Sequence, residues 1–341
     1  MRIVQNTLPI FCTAAAAWAD PASQPLSPTN IFAPASTPAD TISTLSFLVL
    51  AVTGAIFVTV FCLLLWALVK YRERASSGPG EPAQVYGSTQ VELAWTVIPV
   101  LIVLVLFLAT VRAIASIQNA TPPPGAVKVS VIGHQYWWEY HYGQSKVVTA
   151  NELHVPVSDP AHPTPTFLTL LSADTDHSFW VPRLAGKTDL IPNHPNSMWI
   201  DPHETGLYLG QCSQYCGVQH AKMLLRVYVQ TREQFDEWLE QQSRPAVTSD
   251  AVIDGRRTFE STACVNCHAV SGTRAAGKFG PDLTHLMSRD TIGAGIAINT
   301  HANLRRWIQD PSAFKPGCLM PAMGLNDSQL DAITAYMETL R

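Results

Sequence analysis

Charged side chains are scarce in this sequence. They make up 14% of its 341 residues, whereas apolar residues reach 47%. The formal net charge is only -4, and the sequence lacks any basic stripe of the kind that nucleic-acid binding requires. Nucleic acid is therefore excluded as the expected partner, and the distribution of the apolar residues becomes the feature to explain.

Charge is missing altogether from two long apolar runs, residues 47–69 and 93–111. Both are close to the length of about 20 residues that a helix needs to cross a bilayer. The alternative, a pair of buried helices in a soluble core, is disfavoured because uncharged runs of this length are uncommon in soluble domains. We predict a hairpin of two transmembrane helices over residues 43–117, surrounded by membrane lipid.

Lysine and arginine are absent from residues 20–46 but occur between the two runs, at Lys70, Arg72 and Arg74. Basic residues in short loops mark the cytoplasmic side of a membrane. The pattern therefore predicts a cytoplasmic turn. Both ends of the hairpin are then expected on the periplasmic side of a bacterial-type inner membrane.

The first 19 residues have the pattern of a secretory signal peptide. An early arginine and an apolar stretch precede Ala17, Trp18 and Ala19, a small-x-small cleavage pattern. We predict a signal peptide over residues 1–19 and an extracytoplasmic segment over 20–42. Lipidation of Cys12 is an alternative, but the phenylalanine before it fits that motif poorly.

Short strands separated by turn residues follow the second run. The segments "VKVSVIG", "TFLTLLSAD" and "KMLLRVYVQ" have the β-branched, alternating pattern of strands. Because no long helix lies among them, they predict a β sandwich or barrel over residues 118–242. The segment "TREQFDEWLEQQ" is predicted to be helical, with Phe235, Trp238 and Leu239 on one face.

A polar, proline-bearing linker over residues 243–250 precedes a last domain over 251–341. This domain ends in a predicted helix, "NDSQLDAITAYMETLR", in which Asn326 caps the first turn and Gln329 reciprocates. The apolar residues of that segment form one helical stripe: Leu330, Ile333, Tyr336, Met337 and Leu340.

The segment "CVNCH", residues 264–268, is C-x-x-C-H, the attachment pattern of c-type haem. The thiols of Cys264 and Cys267 would bind the haem vinyl groups, and His268 would be the proximal iron ligand. A disulfide or half of a zinc site is disfavoured because no second Cys or His pair follows at zinc spacing.

The second iron ligand is expected further along the chain. The segment "KPGCLMPAMGL" offers Met320 and Met323, of which Met320 is favoured. A thioether opposite histidine raises the reduction potential, which suits electron transfer rather than oxygen chemistry.

The segment "QCSQYCGVQHAKM" contains Cys212, Cys216, His220 and Met223. A disulfide is one alternative, but it would need neither the histidine nor the methionine. Thiolate, imidazole and thioether together favour copper over zinc or hard cations. Two thiolates can bridge two copper ions, and "SADTDHSFWVP" supplies a second imidazole from His177. The pattern predicts a dinuclear copper site.

The motifs and their order resemble the cytochrome c oxidase subunit II family. The likeness covers residues 43–240 through "VELAWTVIP", "GHQYWWEY", "DTDHSFWVP", "KTDLIP" and "GQCSQYCGVQHAKM". Residues 250–341 resemble a small class I cytochrome c through "CVNCH", "FGPDLT" and "KPGCLMPAM". The resemblance implies a membrane-anchored multidomain fold: a two-helix transmembrane hairpin, an all-β cupredoxin-like sandwich and an all-α class I cytochrome c domain.

The resemblance also implies roles for single residues. The copper ligands would be His177, Cys212, the carbonyl of Gln214, Cys216, His220 and Met223. Glutamine at 214 replaces a glutamate that binds magnesium in many members, which puts that magnesium site in doubt. Pro281 should lie near His268, and Gly255 and Phe259 should pack against Tyr336.

Tyr136 stands where many members have the tryptophan that receives electrons, and Trp137 and Trp138 follow it. We expect these aromatic residues to receive electrons from the tethered haem domain, although core packing is an alternative role. Glu92 matches a family carboxylate near the entrance of a proton path, and its alternative role is an interfacial charge.

The function implied by this resemblance is that of an electron-transfer subunit of cytochrome c oxidase, passing electrons from haem c to the copper pair. Neither apolar run contains histidine, so oxygen reduction is expected in a partner, catalytic subunit I, alongside other oxidase subunits. The upstream donor would be a cytochrome or a quinol-cytochrome c reductase. One alternative is an anchored electron carrier for another reductase. A copper chaperone or thiol-disulfide protein is disfavoured because it predicts one anchor and no covalent haem.

Overall fold

The computed structural model describes residues 29–72, 84, 86–118, 121–143, 145–159, 163–246 and 249–341. The predicted signal peptide, Cys12 and Arg74 lie outside these residues. In chain order, the described residues form a pair of long helices, a β sandwich and a small domain built mainly from helices.

Two helices in the described part of the chain are long and apolar enough to cross a membrane. They are α1 (Thr37–Lys70) and α2 (Thr89–Gln118), and their most apolar windows have mean hydropathies of 2.8 and 2.7. No residue of either window is buried within the chain. The two helices contain the two runs predicted to span the membrane, and their exposed apolar surfaces suit lipid or a partner subunit.

Helix α1 begins at Thr37 because a carboxylate from the sandwich caps it. Asp201 accepts hydrogen bonds from Thr37 N and Ser36 Oγ, both at 2.7 Å. Pro38 follows, and proline is favoured in a first helical turn because its φ is already helical. The helix therefore begins before residue 43, the predicted start of the hairpin.

Ten strands in the described residues form the sandwich. They are β1 (Val127–His134), β2 (Trp137–Tyr142), β3 (Val148–Ala150), β4 (Glu152–Pro156), β5 (Thr166–Ser172), β6 (His177–Trp180), β7 (Thr188–Leu190), β8 (Asn196–Ile200), β9 (Gly206–Cys212) and β10 (Leu224–Gln230). One sheet has the order β3-β2-β1-β5-β8 and the other β4-β10-β9-β6-β7. The predicted β sandwich is confirmed.

The register places one face of each main strand inside the sandwich. Strand β1 pairs with β5 in parallel and with β2 antiparallel, and β10 pairs with β4 in parallel and with β9 antiparallel. Along β10, buried and half-buried residues alternate, as its sequence predicts. The core between the sheets includes the fully buried Trp138, Tyr140 and Phe179.

The helices that follow the sandwich are short. They are α3 (Arg232–Gln242), α4 (Ile253–Ser261), α5 (Cys264–Cys267), α6 (His301–Gln309), α7 (Pro311–Phe314) and α8 (Asp327–Met337), with a two-strand ribbon of β11 (Thr291–Ile292) and β12 (Ala297–Ile298). Helix α3 buries Phe235 and Trp238, and the Trp238 ring meets Tyr142 of the sandwich at 5.2 Å between centroids. This burial confirms the predicted apolar face of α3.

The structure confirms the capping and the buried face that the sequence predicts for the last helix. Asn326 and Gln329 form the predicted reciprocal capping box at the start of α8. The five residues of the predicted stripe are all buried: Leu330, Ile333, Tyr336, Met337 and Leu340. Helix α8 presents the first four to the core of the small domain, and Leu340 lies beyond the end of the helix, which is shorter than predicted.

Helices α4 and α8 cross in close contact. A Cβ atom built on Gly255 would lie 2.9 Å from the Tyr336 Cβ, closer than real Cβ contacts come. The Phe259 and Tyr336 rings lie 5.8 Å apart between centroids. The packing of Gly255 and Phe259 against Tyr336 is thus confirmed, and it positions α5 with the C-x-x-C-H segment.

Candidate metal centre and haem cavity

Two buried cysteine sulfurs form the centre of the first site. Cys212 ends β9, and Cys216 lies in the loop that follows. Their Sγ atoms are 3.9 Å apart, whereas a disulfide has a bond of about 2.05 Å. The two sulfurs are therefore separate thiols that face each other.

One imidazole lies beside each sulfur. His177 Nδ1 is 3.9 Å from Cys212 Sγ, and His220 Nδ1 is 3.7 Å from Cys216 Sγ. The two histidines come from different parts of the fold, since His177 begins β6 and His220 begins a short turn before β10. This pairing of one ring with each sulfur suits two metal ions that share the sulfurs.

A thioether and a carbonyl complete the cluster. Met223 Sδ lies 3.9 Å from Cys216 Sγ, and the carbonyl of Gln214 lies 3.2 Å from Cys212 Sγ. Met223 is fully buried. The six predicted donors therefore converge on one small volume, and soft sulfur with imidazole is the donor chemistry that copper prefers.

The loop adopts its shape because of Gly217. Its φ of +128° is in the region that favours glycine, and a Cβ there would lie 2.5 Å from the Tyr136 hydroxyl. The chain then turns back, with His220 N donating to Gly217 O at 3.0 Å. The segment is a loop rather than an α-helix, as predicted, and this turn returns His220 and Met223 towards the cysteines.

Asp174 is a functional candidate that the sequence reasoning missed. Its carboxylate lies 2.8 Å from His177 Nε2, which leaves Nδ1 for the sulfur side of the ring. Carboxylates commonly orient metal-binding histidines in this way. An aspartate three residues before a candidate ligand was the available signal. Gly133 makes room for the ring, because a Cβ there would lie 2.8 Å from His177 Cδ2.

The electrostatics of the cluster favour a thiolate at Cys212. The hydrogen bond from Cys216 lowers the pKa of the Cys212 thiol, and the contact with His177 acts in the same direction. The pKa of Cys216 is raised because it is the partner that keeps its proton. Burial disfavours a charged His177 ring, but the hydrogen bonds to Asp174 and Cys212 outweigh that effect and raise its pKa.

The second site is a cavity of about 280 Å³ beside the C-x-x-C-H segment. Cys264, Cys267 and His268 all line it. His268 Nδ1 bonds the carbonyl of Pro281 at 2.7 Å, which confirms the expected contact and leaves Nε2 for an iron. A Cβ on Gly280 would lie 2.7 Å from His268 Cε1, so glycine leaves room for this ring.

The lining of the cavity fits a haem. Met320 and Met323 both line it, so the preference for Met320 as iron ligand stays a prediction. Apolar walls come from α6 and α8, through Leu304, Trp307 and Met337. Arg289 also lines the cavity. Its buried Nε has no hydrogen-bond partner among the described residues. An unpaired guanidinium nitrogen beside apolar walls suits the carboxylates of a haem.

One wall of this cavity belongs to the sandwich. Gln135, Tyr136, Trp137 and Asn151 line it together with the residues of the small domain. Gln135 Nε2 also donates to the carbonyl of Cys216 at 2.6 Å. The turn between β1 and β2 therefore touches the cavity on one side and the sulfur cluster on the other.

The three aromatic residues predicted as a relay occupy different environments. Tyr136 and Trp137 line the cavity, and the Trp137 ring stacks on His134 at 4.2 Å between centroids. Trp138 is fully buried and meets the His177 ring edge-on at 6.1 Å. Trp138 thus fills the core and also contacts a candidate copper ligand.

Glu92 is not brought to either site. It lies in the first turn of α2 and is exposed in this chain. The cluster and cavity described above lie in the sandwich and the small domain, so the predicted proton-path role of Glu92 would involve a partner subunit.

Sequence profiles of three families match separate parts of the chain. Residues 25–112 match the cytochrome c oxidase subunit II transmembrane domain, and 161–230 match the periplasmic domain of the same subunit. Residues 252–341 match cytochrome c. The three matches follow the order of the hairpin, the sandwich and the small domain.

Curated relatives match over most of their length. A cytochrome c oxidase subunit 2 of Alkalihalophilus pseudofirmus is 33% identical, over 87% of this chain and 85% of the relative. The subunit 2 of Bacillus sp. strain PS3 is 32% identical, over 80% of both chains. Among solved structures, the periplasmic domain of subunit II from Bradyrhizobium japonicum is 28% identical, covering 36% of this chain and 96% of that domain, with a TM-score of 0.33.

These matches agree with the geometry of both sites. The paired sulfurs and imidazoles lie in the part that matches subunit II, and the C-x-x-C-H cavity lies largely in the part that matches cytochrome c. The protein is anchored by two helices, uses copper and haem c, and works with other subunits of a haem-copper oxidase. The chain belongs to the cytochrome c oxidase subunit II family, as an electron-transfer subunit that carries its own cytochrome c domain.

Proposed function

We propose that electrons enter this chain at the haem bound by Cys264, Cys267, His268 and Met320, and leave it through the copper pair. The copper ligands would be His177, Cys212, Gln214 O, Cys216, His220 and Met223. The observation that carries this proposal is the turn between β1 and β2, which lines the haem cavity and is hydrogen-bonded to the copper loop. One short segment of the chain therefore contacts both sites.

When bound, the copper ions and the haem would supply one-electron chemistry at these two sites. The chain's own residues hold the geometry. Asp174 fixes which nitrogen of His177 faces the sulfurs, and Pro281 O does the same for His268. Rigid strands on both sides of the copper loop limit movement when the charge changes.

The peptide around Tyr136 offers a compact route between the sites. Tyr136 contributes to the cavity wall, and the neighbouring Gln135 side chain donates to the Cys216 carbonyl. Trp138, two residues after Tyr136, meets the edge of the His177 ring. We assign Tyr136, Trp137 and Trp138 the relay role, in which packed aromatic rings and hydrogen bonds exclude water from the path.

The membrane orientation belongs to the same proposal. Lys70 and Arg72, at the end of α1, would lie on the cytoplasmic side, and both metal domains on the periplasmic side of the inner membrane. A catalytic subunit I would receive the electrons, with lipid around the hairpin. A soluble cytochrome or a quinol-cytochrome c reductase would supply them, and Glu92 would lie near a proton entrance.

Metal stoichiometry with electron paramagnetic resonance tests this function in the detergent-solubilised full chain. We expect two coppers and one haem per chain, and hyperfine structure from one electron shared between two copper nuclei. After rapid reduction of the haem, the electron should appear on copper. A single localised copper, or a disulfide between Cys212 and Cys216, would contradict the proposal.

A second measurement distinguishes residues that carry the electron from residues that bind the metals. We expect Y136L, which removes an aromatic ring from the cavity wall, to slow transfer from haem to copper while leaving both metal spectra unchanged. Replacement of Tyr86 by leucine is the matched control, because Tyr86 is 98% exposed and does not line the cavity. If all three aromatic positions could be changed without effect on the transfer rate, the relay role would be wrong.

A further inference from the structure

Two buried charged side chains cross the boundary between the sandwich and the haem domain in opposite directions. We propose that Glu152 and Lys315 form a two-way clasp, which holds the haem domain docked on the copper domain in one fixed orientation. This inference depends on the proposed function, because it describes how the haem stays in place for transfer to copper.

Glu152 is the clasp residue of the copper domain. It begins β4, is 2% exposed and accepts three hydrogen bonds from the haem domain. The donors are Asp290 N at 3.0 Å, Thr291 N at 2.9 Å and Thr291 Oγ1 at 2.6 Å. A carboxylate with three donors in a buried place holds this edge of the haem domain firmly.

Lys315 is the clasp residue of the haem domain. It follows α7, is 3% exposed, and its Nζ donates to Tyr136 O at 2.7 Å and to Gly293 O at 3.0 Å. One of these carbonyls belongs to the copper domain and the other to its own domain. The lysine therefore joins the relay turn to the haem domain.

The two contacts lie on different sheets of the sandwich. Strand β4 with Glu152 belongs to one sheet, whereas Tyr136 lies in the turn between two strands of the other. Attachment at a single point would let the haem domain pivot about that point. Attachment on both sheets removes this rotation and fixes the distance between the cavity and the copper loop.

Further hydrogen bonds surround the clasp. Tyr228 donates to Asp290 at 2.5 Å, and Lys222 Nζ donates to Phe314 O at 3.0 Å. The backbone of Leu224, at the start of β10, donates to Ala294 O at 3.2 Å. Hydrogen bonds therefore join the two domains at several points besides Glu152 and Lys315.

The energetics of burial support a role in orientation. Burial raises the pKa of Glu152 and lowers that of Lys315 to about 7, so both charged groups are costly in this place. Apolar side chains of similar size would often stabilise a contact as well or better. Buried, hydrogen-bonded charges instead penalise any alternative docking, in which they would lose their partners.

The clasp also closes the haem cavity. Lys315 and Thr291 line this cavity from the haem domain, and Tyr136 and Asn151 line it from the copper domain. Asn151 is the residue just before Glu152. A loosened clasp would therefore move the wall that faces the haem and lengthen the path to the copper loop.

Hydrogen exchange on the haem-loaded full chain tests whether the two residues act as one unit. In K315M, we expect the amides of Asp290 and Thr291 to exchange at least about tenfold faster, although Lys315 contacts neither of them. A purely local role for Lys315 would leave those amides protected. K187M is the matched control, because Lys187 is an exposed lysine on the sandwich.

The second readout is the rate of transfer from haem to copper after one-electron reduction of the haem by a photoexcited ruthenium complex. The electron leaves the haem iron, which is reoxidised, and reduces the copper pair. In the unaltered chain, we expect a rate independent of ionic strength and viscosity. E152A and K315M should slow transfer about tenfold and make it sensitive to both.

The milder variant T291V removes one hydrogen bond of the clasp and keeps a side chain of similar size, so it serves if E152A folds poorly. Haem and copper spectra confirm that both domains are loaded in each variant, and E240A, at an exposed helix position, is the control. Unchanged exchange and unchanged rates in K315M and T291V would overturn the clasp. Absence of transfer in the unaltered chain would instead contradict the proposed function.

Discussion

At the residue scale, two of the three candidate ligand histidines have a hydrogen-bond partner at the ring nitrogen that faces away from the metal site. His177 has Asp174, and His268 has the carbonyl of Pro281. Such partners fix the tautomer and the orientation of the ring before a metal arrives. The chain therefore supplies much of the site geometry without the metals, which suits fast electron transfer.

Replacement of Asp174 by asparagine tests this preorganisation. We expect D174N to lower copper affinity about tenfold to a hundredfold, because the His177 ring loses its charged hydrogen-bond partner. Competition with a copper chelator measures the affinity. D176N is the control, since Asp176 is an exposed neighbour on the same segment. Equal affinity in D174N and D176N would show that Asp174 has no part in holding the ring.

The sequence predicted the candidate ligands and the contact of His268 with Pro281, but it did not predict Asp174 or the residues that join the two domains. Cys212, Cys216 and His220 lie in one short motif, so their spacing alone suggested a metal. Glu152 and Lys315 carry no such signal, because their partners lie far away in the chain. Tyr136, for example, is 179 residues from Lys315. Contacts over that separation depend on the docked fold and cannot be predicted from local spacing.

At the element scale, local signals were sufficient for some helices and strands but not for all of them. Capping and periodicity predicted α8, and alternation predicted β1, β5 and β10. The start of α1 was predicted less well, because its cap comes from Asp201, a residue of the sandwich more than 160 positions further along the chain. Elements with caps in their own sequence were therefore predicted better than those capped from another domain.

The crossing of α4 and α8 gives a test at this scale. We expect G255A to destabilise the haem domain by about 1 to 3 kcal/mol, because the added Cβ overlaps the backbone carbonyl of Ala332 and the Cβ of Tyr336, so that the helices must separate. Thermal unfolding followed at the haem absorbance measures the loss. Arg257, on the exposed side of α4, gives the control R257A, which should unfold close to the unaltered chain. Equal melting of G255A and R257A would contradict the close crossing.

At the scale of the whole molecule, three parts are joined by polar contacts at their boundaries. The haem domain meets the sandwich through Glu152 and Lys315, and the sandwich meets the hairpin through Asp201. The far end of α2 is also tied to the sandwich, since Trp199 Nε1 donates to Ile117 O at 2.7 Å. The hairpin is thus attached beside β8 by both of its outer ends, which aligns the copper domain with the membrane.

Asp201 provides the test of this alignment. It accepts hydrogen bonds from Ser36 Oγ, Thr37 N and Thr37 Oγ1, so D201A removes the cap of α1 and one attachment of the sandwich. A lost cap costs about 1 to 2 kcal/mol.

We expect D201A in the assembled oxidase to keep its copper signal but to reduce oxygen several-fold more slowly, because the copper pair is held less firmly over its acceptor. E204Q, an exposed change close by, is the control. Full oxygen reduction by D201A would mean that Trp199 and the partner subunits align the copper domain without Asp201.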